Sequence, residues 1–208
     1  MIDLLFPVLG ECLPVDHSYD LYAALSHANP WFHDPECQAR FAPINGQPAA
    51  PGMLNVTKDS RLRIRLPADQ IPQALVLAGK RLAVGKLYVR LGVPQVTQLF
   101  PAGTLSSPLV IFKNSKEPSA FLANARRALD DLGIRGEIEI PLVPGGEREG
   151  EPRRRVLRIH GKTIVGYAMN VRNLTADESL TLQERGLGGR SHMGCGFFLP
   201  NLSERSRT

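Results

Sequence analysis

No apolar run in this 208-residue chain approaches the ~18 residues that a membrane-crossing helix needs. The apolar opening MIDLLFPVLGECLP carries Asp3 and Glu11 and has no basic leader, so it reads as a buried first strand and not as a signal peptide. Cysteine is scarce: Cys12, Cys37 and Cys195 are widely spaced and odd in number, which excludes a disulfide framework and fits a reducing cytoplasm. Cys12 and Cys37 lie near His17, His27 and His33, yet the paired ligand spacing of a zinc site is missing, so neither a metal nor another cofactor is expected. Aromatic residues make up only 6% of the chain and there is no Gly-Phe-Gly-Phe strand, which makes base stacking on an open sheet the weaker mode of nucleic-acid recognition. Nucleotide loops are absent too. A dinucleotide fingerprint would need glycine where Ser191 stands, and no GxxxxGK motif followed by Ser or Thr occurs.

What remains is ordinary globular composition, 43% hydrophobic and 22% charged, with a net charge of +5. That excess permits a polyanionic partner without requiring one. Its placement says more: KDSRLRIR, GKRLAVGKLYVR and EREGEPRRRVLRIHGK set cations on segments that otherwise read as strands. Each alone suits a solvated strand face, but the three together predict a basic sheet surface.

The element order predicts an α+β fold. DLLFPVLG is a strand, and PVDHSYDLYAALSHANPWFH is a helix capped by Asp16 or Ser18, striped by Leu21, Ala24, Leu25 and Ala28 and ended by Pro30. Loop should follow until about Met53. RLRIRLP alternates as a half-exposed strand, ADQIPQALVLAG is a short helix closed by Gly79, and KRLAVGKLYVRLG is a strand or hairpin. The second half repeats the order. LSSPLVIFK is a strand. SKEPSAFLANARRALDDLGI is a helix striped by Phe121, Leu122, Ala125, Leu129 and Leu132 and closed by Gly133. GEIEIPLV and RRRVLRIHGKTIVGYAMNVRNL are strands, the latter turning at HGK. TADESLTLQERGL is a helix with a Thr175–Glu178 capping box, and CGFFLP is a last short strand. Two tandem ferredoxin-like βαββαβ domains result, spanning 1–95 and 96–208, with a frayed SERSRT tail.

The segment RGLGGRSHMGCGFFLP holds five glycines. Gly186-x-Gly188, five residues, then Gly194-x-Gly196 strip side chains from the backbone on either side of a short loop. A second backbone, or a bulky polymer meeting Arg190 and His192, can then approach closely. The same spacing suits a packing loop that avoids a neighbouring helix.

This glycine spacing near the C-terminus resembles the glycine-rich loop of the CRISPR repeat-processing endoribonucleases of the repeat-associated (RAMP) superfamily. GLGGRSHMGCGFF and PVDHSYDLYAAL are especially similar to the short branch named after a myxobacterial CRISPR subtype, and LAGKRLAVGKLYVRLGVPQV and LTADESLTLQERGLGGR extend the likeness over nearly the whole chain. The resemblance implies tandem ferredoxin-like (RNA-recognition-motif-like) domains and a substrate, the repeat within a CRISPR precursor transcript. It also implies metal-free cutting: the ribose 2′-OH attacks the scissile phosphate, leaving a 2′,3′-cyclic phosphate and a 5′-OH. An alternative within the same resemblance is a non-cutting subunit that holds repeat-derived RNA among other effector subunits.

The family places its acid/base histidine in or just after the first helix. His33, beyond Pro30, best matches that position. His17 at the helix start is the second candidate, with Asp16 available to orient it, and His27 a third. His160 falls in a turn, and His192 is expected to contact RNA. Tyr19, Tyr22, Lys80 or Arg190 could assist. Repeats that form hairpins present an A-form stem read through phosphates and shape, and Arg153, Arg154 and Arg155 are assigned to that contact. Gly186, Gly188, Arg190, His192, Gly194 and Gly196 complete the expected RNA-binding set.

Overall fold

Strand β1 (Ile2–Leu9) shows why the first half folds as a sheet with one covered face: Leu4, Phe6 and Val8 are buried, and their neighbours point the other way. The computed structural model describes residues 1–159 and 161–201. His160 of the expected turn and the SERSRT tail beyond Leu202 therefore lie outside the described residues.

The chain divides into two compact units. One comprises Met1–Leu99 together with His192–Gly194; the other runs from Phe100 to Ser191 and resumes at Cys195. In the first unit, β1 is followed by β2 (Cys12–Pro14), α1 (Ser18–Ala28), β3 (Arg40–Ala42), β4 (Gln47–Pro48), β5 (Met53–Asn55), β6 (Arg61–Leu66), α2 (Ile71–Leu75), β7 (Arg81–Val84), β8 (Leu87–Leu91) and β9 (Gln95–Gln98). The main sheet runs β3-β6-β1-β8-β7, with β9 also on β1, and these pairs are antiparallel. Strands β2, β5 and β4 form a small separate sheet. Leu21 and Leu25 of α1 join Leu4, Phe6, Leu62, Ile64, Val89 and Leu91 in one core.

The second unit repeats the plan with β10 (Leu105–Val110), α3 (Pro118–Asp130), β11 (Glu137–Glu139), β12 (Arg154–Ile159), β13 (Lys162–Arg172), α4 (Ala176–Arg185) and β14 (Leu199–Pro200). Its sheet runs β11-β13-β10-β14, with β12 also on β13. Phe121, Ala125 and Leu129 of α3 bury against Leu105, Tyr167, Met169 and Val171. Strand, helix, two antiparallel strands, helix, strand, with the first strand between the third and fourth, is the ferredoxin-like order in both units.

Several local expectations need correction. The first helix has His17 at its N-cap, with no side-chain cap from that residue, in place of the expected Asp16 or Ser18. The stretch read as loop up to Met53 holds β3, and GVPQVTQLFPAG holds β9. The last strand is only Leu199–Pro200, because Cys195–Gly196 turn and Phe197–Phe198 are irregular. The capping box forms as expected: Thr175 accepts from the Glu178 N–H at 3.3 Å while Glu178 accepts from the Thr175 N–H at 2.8 Å.

The basic sheet surface is only partly realised. Arg65 is 1% exposed and Asp3 2% exposed. They face each other across β6 and β1, the guanidinium donating to the carboxylate at 2.7 and 3.0 Å. Arg63 donates to the same carboxylate at 2.7 Å. Burying a charge is tolerable only with such pairing, so Arg65 holds the fold and is not part of a solvated face.

Candidate active site

Helix α1 turns one face to the core and a second face outward. Tyr19, Tyr22, Ala23 and His27 recur at helical spacing and, with the buried Ser26 and with His33, line an open depression of about 330 Å³. His33 reaches it because the chain does not simply stop at Pro30. The proline begins a 3-10 turn, Pro30–His33, whose start is fixed by the Asn29 side chain accepting from the Trp31 N–H at 3.2 Å. Asn29 also donates to the Gln73 carbonyl at 2.8 Å, and buried Phe32 anchors the turn.

The exposed His33 ring meets Tyr22 edge-on, with centroids 5.4 Å apart, and its Nδ1 lies 3.1 Å from the Tyr22 hydroxyl. Tyr22 is itself held by stacking on Phe41 of β3 at 6.3 Å. A phenol oxygen can donate to Nδ1 or accept from it. His33 can therefore carry its proton on either nitrogen without losing this partner, and Nε2 is left to accept or to give a proton.

His192 completes the cluster from the glycine-rich segment. It sits in a 3-10 turn, Ser191–Met193, and its ring lies 5.0 Å from that of Tyr22. Met193 is buried, and a Cβ on Gly194 would stand 3.2 Å from the Phe41 carbonyl oxygen and 3.1 Å from Pro43 Cδ. Glycine is thus what lets this turn settle on the end of β3, where Phe41 supports Tyr22.

The other glycines do related work, which corrects the expectation that they open the backbone to a polymer. Gly186, Gly194 and Gly196 are buried, and among the four paired glycines Gly188 alone is exposed. Gly186 ends α4 at φ 64°, ψ −168°, a conformation that other residues avoid. A Cβ on Gly188 would stand 2.5 Å from the Ile111 carbonyl oxygen, and one on Gly196 would overlap the Leu187 carbonyl. Gly196 donates to Leu109 at 2.7 Å and Gly189 to Ile111 at 2.9 Å. The space these glycines make is filled by the protein's own backbone. Arg190 in the same segment is exposed at φ 61°.

His17 is corrected as well. Its ring is 1% exposed; Nδ1 donates to the Pro14 carbonyl at 2.6 Å and Nε2 accepts from the Ile44 N–H at 3.0 Å. Both nitrogens are committed to backbone, and burial lowers the imidazole pKa. This is a structural histidine, oriented by those backbone groups and not by Asp16. Lys80 donates to the Ala28 carbonyl at 2.6 Å, closing the C-terminus of α1.

In the second unit the three arginines do not form one track. Arg154 and Arg155 are successive residues of β12, opposite Tyr167 and Gly166 of β13, so they point to opposite faces. Arg153 lies just before the strand and near Arg155: burial, then the Arg153 charge, lowers the pKa of the Arg155 guanidinium. Among the described residues no group of three or more His, Cys, Asp and Glu side chains is arranged to hold a metal ion. No helix among them is long and apolar enough to cross a membrane.

Solved structures share this fold. One, described as an RAMP protein binding different RNA substrates, aligns with a TM-score of 0.65 at 17% identity, covering 95% of this chain and 97% of that one. A CRISPR associated protein Cas6 aligns with a TM-score of 0.64 at 16% identity over 96% and 98%. The chain thus has the fold of those proteins. The family model described as Cas6 Crispr matches residues 2–203, and the CRISPR-associated endonuclease Cas6 of Myxococcus xanthus (strain DK1622) is 37% identical over 199 residues, 96% of this chain and 81% of that protein. The chain belongs to the Cas6 family.

Proposed function

We propose that this protein is an endoribonuclease that cuts CRISPR precursor RNA within its repeats by metal-free transesterification. The observation that carries the reading is the Tyr22–His33 pair, with the imidazole on an open depression and His192 beside it. The curated relative's endonuclease activity supports it.

In this reaction the ribose 2′-oxygen loses its proton and forms a bond to phosphorus. The bond from phosphorus to the 5′-oxygen breaks, and that oxygen takes up a proton. The products are a 2′,3′-cyclic phosphate and a 5′-OH. Imidazole is the side chain most often used for such proton transfers. His33 is the proton-transfer residue, and Tyr22 is a positioning residue that keeps one ring nitrogen occupied in both charge states. His192 supplies a donor to the non-bridging phosphate oxygens, whose charge grows in the phosphorane, and Arg190 contacts the RNA. Arginines at the β12 hairpin, either Arg155 with Arg153 or Arg154 on the opposite side, contact the phosphates of a repeat hairpin, and other CRISPR effector subunits then receive the product.

The deciding experiment is incubation of the purified protein with end-labelled repeat RNA in EDTA, followed by end-group analysis. Cyclic-phosphate and 5′-hydroxyl ends are expected. Loss of cutting on chelation would overturn the metal-free mechanism, and tight binding of an uncut repeat would identify a holding role instead.

A further inference from the structure

The outward face of the β7–β8 hairpin takes no part in the histidine site. Along β7, Leu82 and Val84 are buried while Arg81 and Ala83 are exposed; along β8, Val89 and Leu91 are buried while Tyr88 and Arg90 are exposed. The register sets Arg81 directly opposite Arg90, Ala83 opposite Tyr88, and Arg90 opposite Leu9 of β1. The Arg81 guanidinium lies over Tyr88, with its carbon 3.9 Å from the ring centroid. Tyr88 is 55% exposed and Leu9 59% exposed.

Two features of this patch run against stability. Like charges directly across an antiparallel pair repel, and no ion pair among the described residues involves Arg81 or Arg90. A tyrosine and a leucine are also left in water beside them. Both features suit a polyanion that carries flat apolar groups. Two guanidiniums on adjacent strands can take up successive phosphates. The Tyr88–Arg81 stack and Leu9 offer a shelf for an unstacked base, an interaction that tolerates any base because each has a π-face. A duplex keeps its bases inside its own stack and would leave Tyr88 and Leu9 unused.

We propose that Leu9, Arg81, Tyr88 and Arg90 form a binding surface for single-stranded RNA, namely the unpaired flank of the repeat. This rests on the reading that the chain binds RNA and does not require that it cuts.

The test compares a repeat hairpin carrying an unpaired flank with the same hairpin lacking it. For the Arg81→Ala/Arg90→Ala pair, affinity for flanked RNA should fall, and the slope of log K against log salt should shrink by roughly 1.4, about 0.7 for each single-strand phosphate that no longer meets a guanidinium. Tyr88→Ala should weaken flanked binding about tenfold and yield no cross-link to RNA at position 88, where the native protein does. Arg90→Glu should raise Tm, since it turns a repulsion into a pair, while lowering affinity for flanked RNA. A merely structural role would move both in one direction. The flankless hairpin should bind, and be cut at saturating protein, as in the native protein. Unchanged affinity and slope for flanked RNA would overturn the proposal. So would equal losses on the flankless hairpin, which would make the occupant a duplex. If the native protein binds flank-dependently yet cuts nothing, the cutting mechanism falls and this surface stands.

Discussion

The Tyr22 hydroxyl lies 3.1 Å from Nδ1 of His33, and the two side chains reach that distance from different elements, the middle of α1 and the end of the 3-10 turn that Pro30 begins. One ring nitrogen is therefore held while the other faces solvent. Replacing His33 by alanine should slow single-turnover cleavage about 10²- to 10⁴-fold, the usual worth of a general acid or base, with repeat affinity within about twofold of native. Tyr22→Phe keeps the stack on Phe41 and removes only the hydroxyl, so it should lower the rate by a smaller factor and leave Tm unchanged. Equal cleavage by the native protein and His33→Ala would remove His33 from the chemistry.

His17 should behave in the opposite way. It is locked as the neutral Nδ1–H tautomer, because the Ile44 N–H can only donate and so requires an acceptor at Nε2. His17→Ala should cost about 1–3 kcal/mol in urea unfolding, the penalty of leaving a buried backbone donor unpaired, and the folded variant should still cut. Burial lowers its native pKa, so the unfolded chain binds this proton more tightly than the folded one. The contribution of His17 to stability is fully present above about pH 6.5 and falls as pH drops from there towards the native value. A Tm that declines below that pH in the native protein, with a weaker decline in His17→Ala, is the expected result.

Much of this fold was legible in one-dimensional pattern. The α3 stripe of Phe121, Ala125 and Leu129 and the Thr175–Glu178 capping box are local signals that tertiary packing reinforces. Strands β3 and β9 were not legible for a physical reason. Arg40–Ala42 is three residues long in a proline- and glycine-rich stretch, and Gln95–Gln98 is largely exposed, so neither shows a period of two. Both exist because a neighbouring strand offers its edge. In the candidate site, the place of His33 just after the helix was legible. Its partner among Tyr19, Tyr22, Lys80 and Arg190 was not, since that choice depends on which α1 face meets the core. The glycine spacing was visible while its cause was not, because a carbonyl of Ile111 or Leu187 comes to fill the vacated space only once the chain has folded.

Arg65 illustrates the same limit, since RLRIR reads identically whether its cations are solvated or buried. Arg65→Ala would leave Asp3 sealed, with the half-exposed Arg63 as its one ion-pair partner among the described residues. Breaking a buried pair from one side costs about 3–5 kcal/mol, and a loss of that size in chemical denaturation is expected. Arg61→Ala should change stability little, because the guanidinium it removes donates, among the described residues, only to the nearby Lys58 and Ser60 carbonyls, while the backbone N–H keeps its bond to Asn45.

The arginines of the second unit should separate by face. Arg154 and Arg155 point to opposite sides of β12, and Arg153, just before the strand, lies near enough for its charge to act on Arg155, so one RNA strand laid along the hairpin meets either Arg155 with Arg153 or Arg154. Each arginine that truly neutralises a phosphate of a duplex stem should, when replaced by alanine, reduce the log–log salt slope by about 0.9. The Arg153→Ala/Arg155→Ala pair and Arg154→Ala are therefore expected to differ, one lowering the slope and the other leaving it near native. Equal reductions per arginine would mean that RNA wraps both faces, and no reduction in either would take this strand out of the interface.

Glycine substitutions can distinguish a packing role from an open one at single-atom cost. Gly189 is exposed, and a Cβ there would find its nearest neighbour, the Ile111 carbonyl oxygen, at 3.9 Å, so Gly189→Ala should be silent in stability and cutting. Gly196 is buried at φ 64° with the Leu187 carbonyl in the way, and Gly196→Ala should unfold the protein or lower its Tm severely. Gly194→Ala is the informative case. Its added methyl presses on Pro43 and the Phe41 carbonyl at 3.1 and 3.2 Å, close to the ring that supports Tyr22. The turn bearing His192 must then lift from β3. Cleavage should fall by more than the modest loss in Tm accounts for, while binding through the β12 arginines persists. Unimpaired cutting by a folded Gly194→Ala protein would show that His192 need not sit beside Tyr22.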